Sequence, residues 1–187
     1  LKAMEGYKVT IRLFDPPLHE FLPSSKNEKV LARAKELEEV NPMMGHRGVR
    51  LGITYPEIYE MQIKAVFEAT AKLVKKKINA KPQIMIPQVG SVEELNHIKS
   101  IYDNVKSDME KKYKIKFKIN FGTMLEVVRA CLTSGELTNT AEFFSFGTND
   151  LTQAVFSFSR EDAESKFLPE YMEKELLETS PFQSIDE

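Results

Sequence analysis

Charged side chains gather where short apolar runs stop. Arg12 and Asp15 close "YKVTIRLFD", Arg47 and Arg50 flank the glycine of "HRGVR", Glu126 ends "FGTMLE", and Thr148, Asn149 and Asp150 follow the glycine of "FFSFGTND". Neighbouring carboxylates such as Glu126 and Asp150 repel unless a cation lies between them, and hard oxygen donors of this kind suit Mg²⁺ or Mn²⁺. Arginines offer planar, bidentate donors for carboxylate and phosphate oxygens. Three cations and several carboxylates on one rim therefore suit a metal-bridged, phosphorylated anion. Each residue also has a plainer use. Glu126 and Asp150 are placed to cap or neutralise helix N-termini, and Arg12 to form an internal salt bridge with Asp15 or Glu126. His46 and His19 read as structural hydrogen-bonders, since no nucleophile or second ligand stands beside them in sequence. Neither a Walker glycine loop nor G-x-G-x-x-G occurs, so no nucleotide chemistry is expected in this segment.

Such residues converge only if the elements carrying them run in parallel. "YKVTIRLFD" alternates like a strand and stops at Pro16-Pro17, and "SSKNEKVLARAKELEEV" has helical spacing with Asn27 or Ser25 as cap. "VRLGI" reads as a short strand. Residues 54–77 read as a long helix with Pro56 in its first turn and Ile58, Met61, Ile63, Ala65, Val66, Ala69 and Leu73 mostly on one face. "QIMIPQVG" is a buried strand, and Ser91 with Glu94 forms a capping-box signature for the next helix. "FKINFGTMLEV" is a strand, "VRACLTSGEL" a helix, "NVKSDMEKKYKIK" an exposed helix end and loop, and "EFFSFGTND" a buried strand, with helical tendency resuming at Leu151. Five strands interleaved with helices predict an α/β fold with parallel pairing and right-handed crossovers. Loops after the strands' carboxyl ends would then open on one face, bringing the charged residues together.

The 187 residues read as a single domain, short of the about 250 that close an eight-stranded α/β barrel. Lys+Arg 26 against Asp+Glu 28 gives no global reason to expect a nucleic-acid or anionic-membrane partner. Lys75-Lys76-Lys77 reads as cations complementing a helix C-terminus. With one cysteine, Cys131, no intrachain disulfide is formed, which fits a reducing compartment; Cys131 reads as a small buried side chain. No apolar run approaches the ~20 residues of a membrane helix. Leu1 in place of an initiator Met suggests a piece of a longer chain.

The same residues carry a family resemblance. "VTIRLFDPPLHEFLP", "NPMMGHRGVRLGITYPEIYEMQ", "GTMLEVVRACL", "FFSFGTNDLTQ" and "KFLPEY" together resemble the phosphoenolpyruvate/pyruvate-binding barrel of the pyruvate phosphate dikinase family. Phosphoenolpyruvate synthase and phosphotransferase enzyme I share the general pattern, whereas "DPPLHEFLP" and "GHRG" point to the dikinase. The resemblance implies reversible conversion of ATP, phosphate and pyruvate to AMP, diphosphate and phosphoenolpyruvate through a phosphohistidine on a swivelling domain. It implies Mg²⁺ at Glu126 and Asp150, with Mn²⁺ an alternative. Arg12 and Arg47 would stabilise the phosphoryl group and enolate oxygen, Asn149 would donate a hydrogen bond to the substrate, and Thr148, Asp150 and Arg160 would complete substrate binding. Arg50 would stand behind them. Val128 replaces the family's usual proline, and Gln88 a usual apolar residue.

The resemblance covers about five of the eight strands of a (β/α)8 TIM-type barrel over residues 1–187, with the first and last strands absent. The phosphorylatable histidine, the ATP-binding region and the cysteine that protonates the enolate have no counterpart here: Cys131 and His46 match neither role. The implied parent is a cytoplasmic or organellar homodimer without nucleic-acid or membrane partners. The fragment alone is expected to be inactive, with two exposed sheet edges. The rival expectation is a noncatalytic binding or assembly module of the same fold.

Overall fold

The computed structural model describes residues 1–16, 27–39 and 44–184; His19 and Ser25 lie outside them. Strand β1 (Lys8–Arg12) leads to helices α1 (Glu28–Glu36), α2 (Val49–Thr54) and α3 (Pro56–Lys75). Then come β2 (Lys81–Ile86), α4 (Val92–Tyr113), β3 (Asn120–Leu125), α5 (Val128–Leu132), α6 (Ser134–Leu137) and β4 (Phe144–Phe146). Helices α7 (Thr148–Phe156), α8 (Arg160–Lys166) and α9 (Leu168–Glu173) follow. All three strand pairs are parallel, in the order β1-β2-β3-β4, and the sheet curls into part of a barrel.

The expected five strands become four among the described residues, because "VRLGI" folds as α2. A short apolar run does not distinguish strand from helix by itself, and tertiary contacts decide here. Gly48 adopts φ 58° and ψ −134°, a conformation open to glycine, which turns the chain into the helix. The Val49 N–H donates to Pro87 O at 3.1 Å. Gly52 lies flat on the Tyr59 ring, where a Cβ would approach Cδ2 to 2.3 Å.

Helices α3 and α4 pack against each other and share one hydrophobic core with β2 and β3. Along α4 the buried residues Leu95, Ile98, Tyr102, Val105 and Met109 alternate in steps of three and four, an apolar stripe that extends through the stretch expected to be exposed. On α3 the buried stripe is Tyr59, Ile63, Val66, Phe67, Thr70 and Ala71, whereas Met61 and Ala65 face solvent. Aromatic rings join the layers. Phe67 meets Phe117 edge-on at 4.9 Å and Tyr102 at 5.5 Å, and Tyr102 meets Phe121 at 5.2 Å while donating its hydroxyl to Ile119 O.

Other differences follow from position in the sheet. "FFSF" is not buried: among the described residues β4 pairs on one side only, and Phe146 is 66% exposed. "VRACLTSGEL" splits into α5 and α6, and Cys131 is half-buried against the core rather than enclosed. Asn27 is the cap of α1, accepting from the Lys29 N–H at 3.0 Å.

The capping box at Ser91 is formed, with Glu94 Oε2 also accepting from the Gly90 N–H at 2.7 Å. Ser91→Ala is expected to cost about 1 kcal/mol, and Phe67→Ala, which empties a fully buried ring site, about 3–5 kcal/mol. Urea denaturation checks both; equal midpoints for the two variants would contradict this account of the core.

Candidate functional site

Side chains at the carboxyl ends of the strands meet on one rim. Arg12 ends β1, and three residues later Asp15 turns inward, leaving its side chain 2% exposed. The intervening backbone is fixed from two sides. Leu13 N–H donates to Met85 O, while Tyr59 Oη donates to Phe14 O at 2.9 Å and the Phe14 N–H to Gln62 Oε1 at 3.0 Å. Asp15 Oδ2 forms an ion pair with Arg12 Nη1 at 3.0 Å and accepts from Arg47 Nη2 at 2.6 Å. Arg47 Nε also donates to Asp15 Oδ1 at 3.2 Å and to its main-chain oxygen at 3.1 Å. Arg12 thus takes the salt bridge with Asp15, and with 46% of its side chain exposed it is not sealed inside the sheet.

Burial alone would lower the Arg47 pKa. The hydrogen bond and charge of Asp15, helped by Asp150 and Glu126, outweigh it and hold Arg47 above its ordinary value.

Glu126 follows β3 directly and is 3% exposed. Its Oε1 accepts from the Gln88 N–H at 2.6 Å. Gln88 holds φ 60°, in the left-handed region disfavoured for side-chain-bearing residues, and this turns its N–H onto the carboxylate. Burial raises the Glu126 pKa above 4.5, opposed by that N–H and by Arg12 and reinforced by the charges of Asp150 and Asp15. Across the rim, Gly147 N–H continues the ladder to Leu125 O. A Cβ at Gly147 would lie 2.5 Å from Glu126 Oε2 and 3.4 Å from Asp150 Oδ2. The two carboxylates therefore face one point, and glycine stands there because Glu126 fills the space a side chain would need. Helix α7 starts at Thr148, earlier than expected, so Thr148, Asn149 and Asp150 form its first turn, where a carboxylate complements the helix dipole.

Glu126, Asp150, Gln88 and Arg50 line a cleft of about 330 Å³, in the size range of small-ligand sites. Thr148 and Asn149 line a neighbouring cleft of about 360 Å³ with Phe182. Arg160 lies with them: its Nη1 donates to Asn149 Oδ1 at 2.8 Å, its Nε to Glu164 at 3.2 Å, and its guanidinium sits 5.4 Å from the Phe182 ring centre. The structure thus joins Arg12, Arg47, Glu126 and Asp150 electrostatically, and groups Thr148, Asn149 and Arg160 on the adjoining face of α7. Arg50 donates to Gly45 O at 2.7 Å. His46 bonds Thr54 Oγ1 at 2.5 Å and stacks on Tyr55, in keeping with a structural part.

No group of three His, Cys, Asp or Glu side chains gathers around one point among the described residues. The Glu126–Asp150 pair fits a hard cation that takes its other positions from substrate oxygens and water. Sequence reasoning saw Asp15 only as a salt-bridge partner of Arg12, and it did not see the Gln88 N–H. A carboxylate just before a double proline at a strand end was the available signal for the first; nothing in the sequence reveals the second. No helix among the described residues is long and apolar enough to cross a membrane.

A family model described as the PEP-binding domain of PEP-utilising enzymes matches residues 1–182. Among curated proteins, pyruvate, phosphate dikinase of Entamoeba histolytica is 50% identical over all of this chain, which covers 23% of that protein. The chloroplastic pyruvate, phosphate dikinase 1 of Arabidopsis thaliana is 46% identical and the Clostridium symbiosum pyruvate, phosphate dikinase 44%, again over the whole chain, which covers 21% and 23% of them. The chain therefore spans under a quarter of the length of these relatives. With four parallel strands presenting arginines and carboxylates on one rim, it belongs to the PEP-utilising enzyme family, as a PEP-binding domain.

Proposed function

We propose that this chain carries most of the phosphoenolpyruvate/pyruvate and Mg²⁺ site of a pyruvate phosphate dikinase. The observation behind this reading is the facing of two pairs: guanidiniums of Arg12 and Arg47 gathered at Asp15, and carboxylates of Glu126 and Asp150 gathered at Gly147. The parent reaction converts ATP, phosphate and pyruvate to AMP, diphosphate and phosphoenolpyruvate, the phosphoryl group travelling on a histidine of another domain. The high identity to dikinases favours this over phosphoenolpyruvate synthase, enzyme I or a noncatalytic module.

Glu126 and Asp150 would hold the Mg²⁺ or Mn²⁺. When bound, the ion supplies charge neutralisation and polarisation of substrate carboxylate and phosphoryl oxygens. Arg12 and Arg47 present N–H groups to the oxygens on which negative charge grows, the enolate in one direction and the phosphoryl group in the other. Fixed donors of this kind contribute most where water is excluded, and Arg47 is the more enclosed of the two, at 17% exposed. Asn149 has its Oδ1 engaged by Arg160, so the donor end of its amide is left for substrate. Thr148 and Arg160 lie beside it for the remaining polar atoms. The parent is proposed as a homodimer in the cytoplasm or an organelle.

Titration calorimetry tests the site in the 187-residue chain. Native protein is expected to bind phosphoenolpyruvate in the presence of Mg²⁺, and Asp150→Ala and Glu126→Ala to lose at least about tenfold in affinity, as removal of a charged ligand implies. A silent native chain would contradict the assignment. Supplied with ATP, phosphate and pyruvate, the chain alone should form no phosphoenolpyruvate by coupled assay, since the phosphohistidine has no counterpart in it.

The buried carboxylate gives a pH dependence. Because the folded pKa of Glu126 is raised, its contribution to stability is fully present below the unfolded value near 4.5 and is lost as pH rises through the folded value. Glu126→Gln is therefore expected to raise the thermal midpoint of the metal-free chain at about pH 7, with the gain shrinking as pH falls toward the ordinary carboxylate range. Calorimetric midpoints across pH check this; a gain that grows on acidification would contradict it.

A further inference from the structure

We propose that Asp15 is a positioning residue of this site, setting the placement of both substrate-facing arginines; the inference rests on the reading of Arg12 and Arg47 given above. Asp15 is 2% exposed, and both its carboxylate oxygens are engaged by guanidiniums. That geometry commits the Asp15 carboxylate to the two arginines, apart from the point where Glu126 and Asp150 face one another.

The donors left over are the informative part. Arg47 spends its Nε and Nη2 edge on Asp15, and its Nη1 makes no hydrogen bond among the described residues. Arg12 spends Nη1, and its Nε and Nη2 likewise have no partner among them. Two guanidiniums brought this close repel one another, and a shared carboxylate offsets that cost while leaving the remaining N–H groups uncommitted.

The mounting of the two arginines differs. Arg12 belongs to β1, in register with Met85. Arg47 comes from the short segment Gly45–Gly48, where the backbone turns at a positive φ, so the sheet does not place its side chain. Asp15 is anchored to the sheet through Leu13 and to α3 through Phe14. Through its carboxylate, that rigid frame reaches Arg47. A purely structural salt bridge would stabilise the fold without affecting which anion binds; a positioning residue separates the two effects.

The experiment uses the ligand-free and liganded 187-residue chain. In ¹⁵N spectra of the native protein, the Arg47 Nε–H is expected to exchange with water at least about tenfold more slowly than that of Arg33, whose side chain is 57% exposed. Asp15→Asn should abolish that protection and weaken phosphoenolpyruvate binding at least about tenfold, while Mg²⁺ affinity measured alone changes less than about threefold. If Asp15→Asn does not fold, Asp15→Glu serves. It keeps the charge on a longer arm and is expected to retain Nε–H protection but lower phosphoenolpyruvate affinity selectively. Arg47 exchange as fast as that of Arg33, or native affinity in the folded variants, overturns the proposal. A native chain with protected Arg47 that binds no phosphoenolpyruvate overturns the substrate reading and the positioning role with it, and is distinguishable because the ion pairs remain visible.

Discussion

A single carboxylate withdrawn from water organises the charged rim. Asp15, 2% exposed, must be compensated, because an uncompensated buried charge costs several kcal/mol. It is compensated twice over, by Arg12 at 3.0 Å and Arg47 at 2.6 Å, so the pocket of charge around it is net positive. Opposite lie Glu126 and Asp150, whose mutual repulsion helps raise the Glu126 pKa. The site is thus divided into a cationic and an anionic half, each built around a crowded point. A ligand carrying both oxyanions and a divalent cation satisfies both halves at once.

The loop after β2 joins these halves mechanically. Pro87 O receives the Val49 N–H at the start of α2, the Gln88 N–H holds Glu126, and Gly90 O receives Arg129 Nη1 at 2.5 Å. Gln88 also packs where a side chain on Gly48 would go, with its Cβ 2.6 Å from that position. The positive φ of Gln88 is the local cost of directing one amide at a carboxylate and one side chain at the "GHRG" turn. The capping box of α4 then fixes the far end of the loop.

Much of this was legible because it is local. The alternation of strand and helix and the Ser91–Glu94 box are signalled by neighbouring residues, and the strand pattern placed Arg12, Glu126, Asn149 and Asp150 at or just after strand ends, whereas Arg47 precedes a helix. What escaped depends on partners far away in sequence. "VRLGI" became α2 because Gly52 meets Tyr59 and Val49 meets Pro87. Phe146 was read as core from its type, but its strand lies at the sheet edge. Gly147 is not required for a turn. Its φ of −92° is ordinary, and the reason for glycine is instead the Glu126 side chain occupying the space of a Cβ. Asn149 and Asp150, adjacent in sequence, line different clefts because successive residues in a helical turn point about 100° apart.

The central claim is that one divalent cation and phosphoenolpyruvate meet between Glu126 and Asp150. Paramagnetic broadening by substoichiometric Mn²⁺ in amide spectra of the chain, with phosphoenolpyruvate present, tests it most directly. The account predicts that the amides of Gln88, Val127, Gly147 and Asp150 broaden first and recover when excess Mg²⁺ is added. Broadening centred elsewhere, or none that Mg²⁺ reverses, would contradict it.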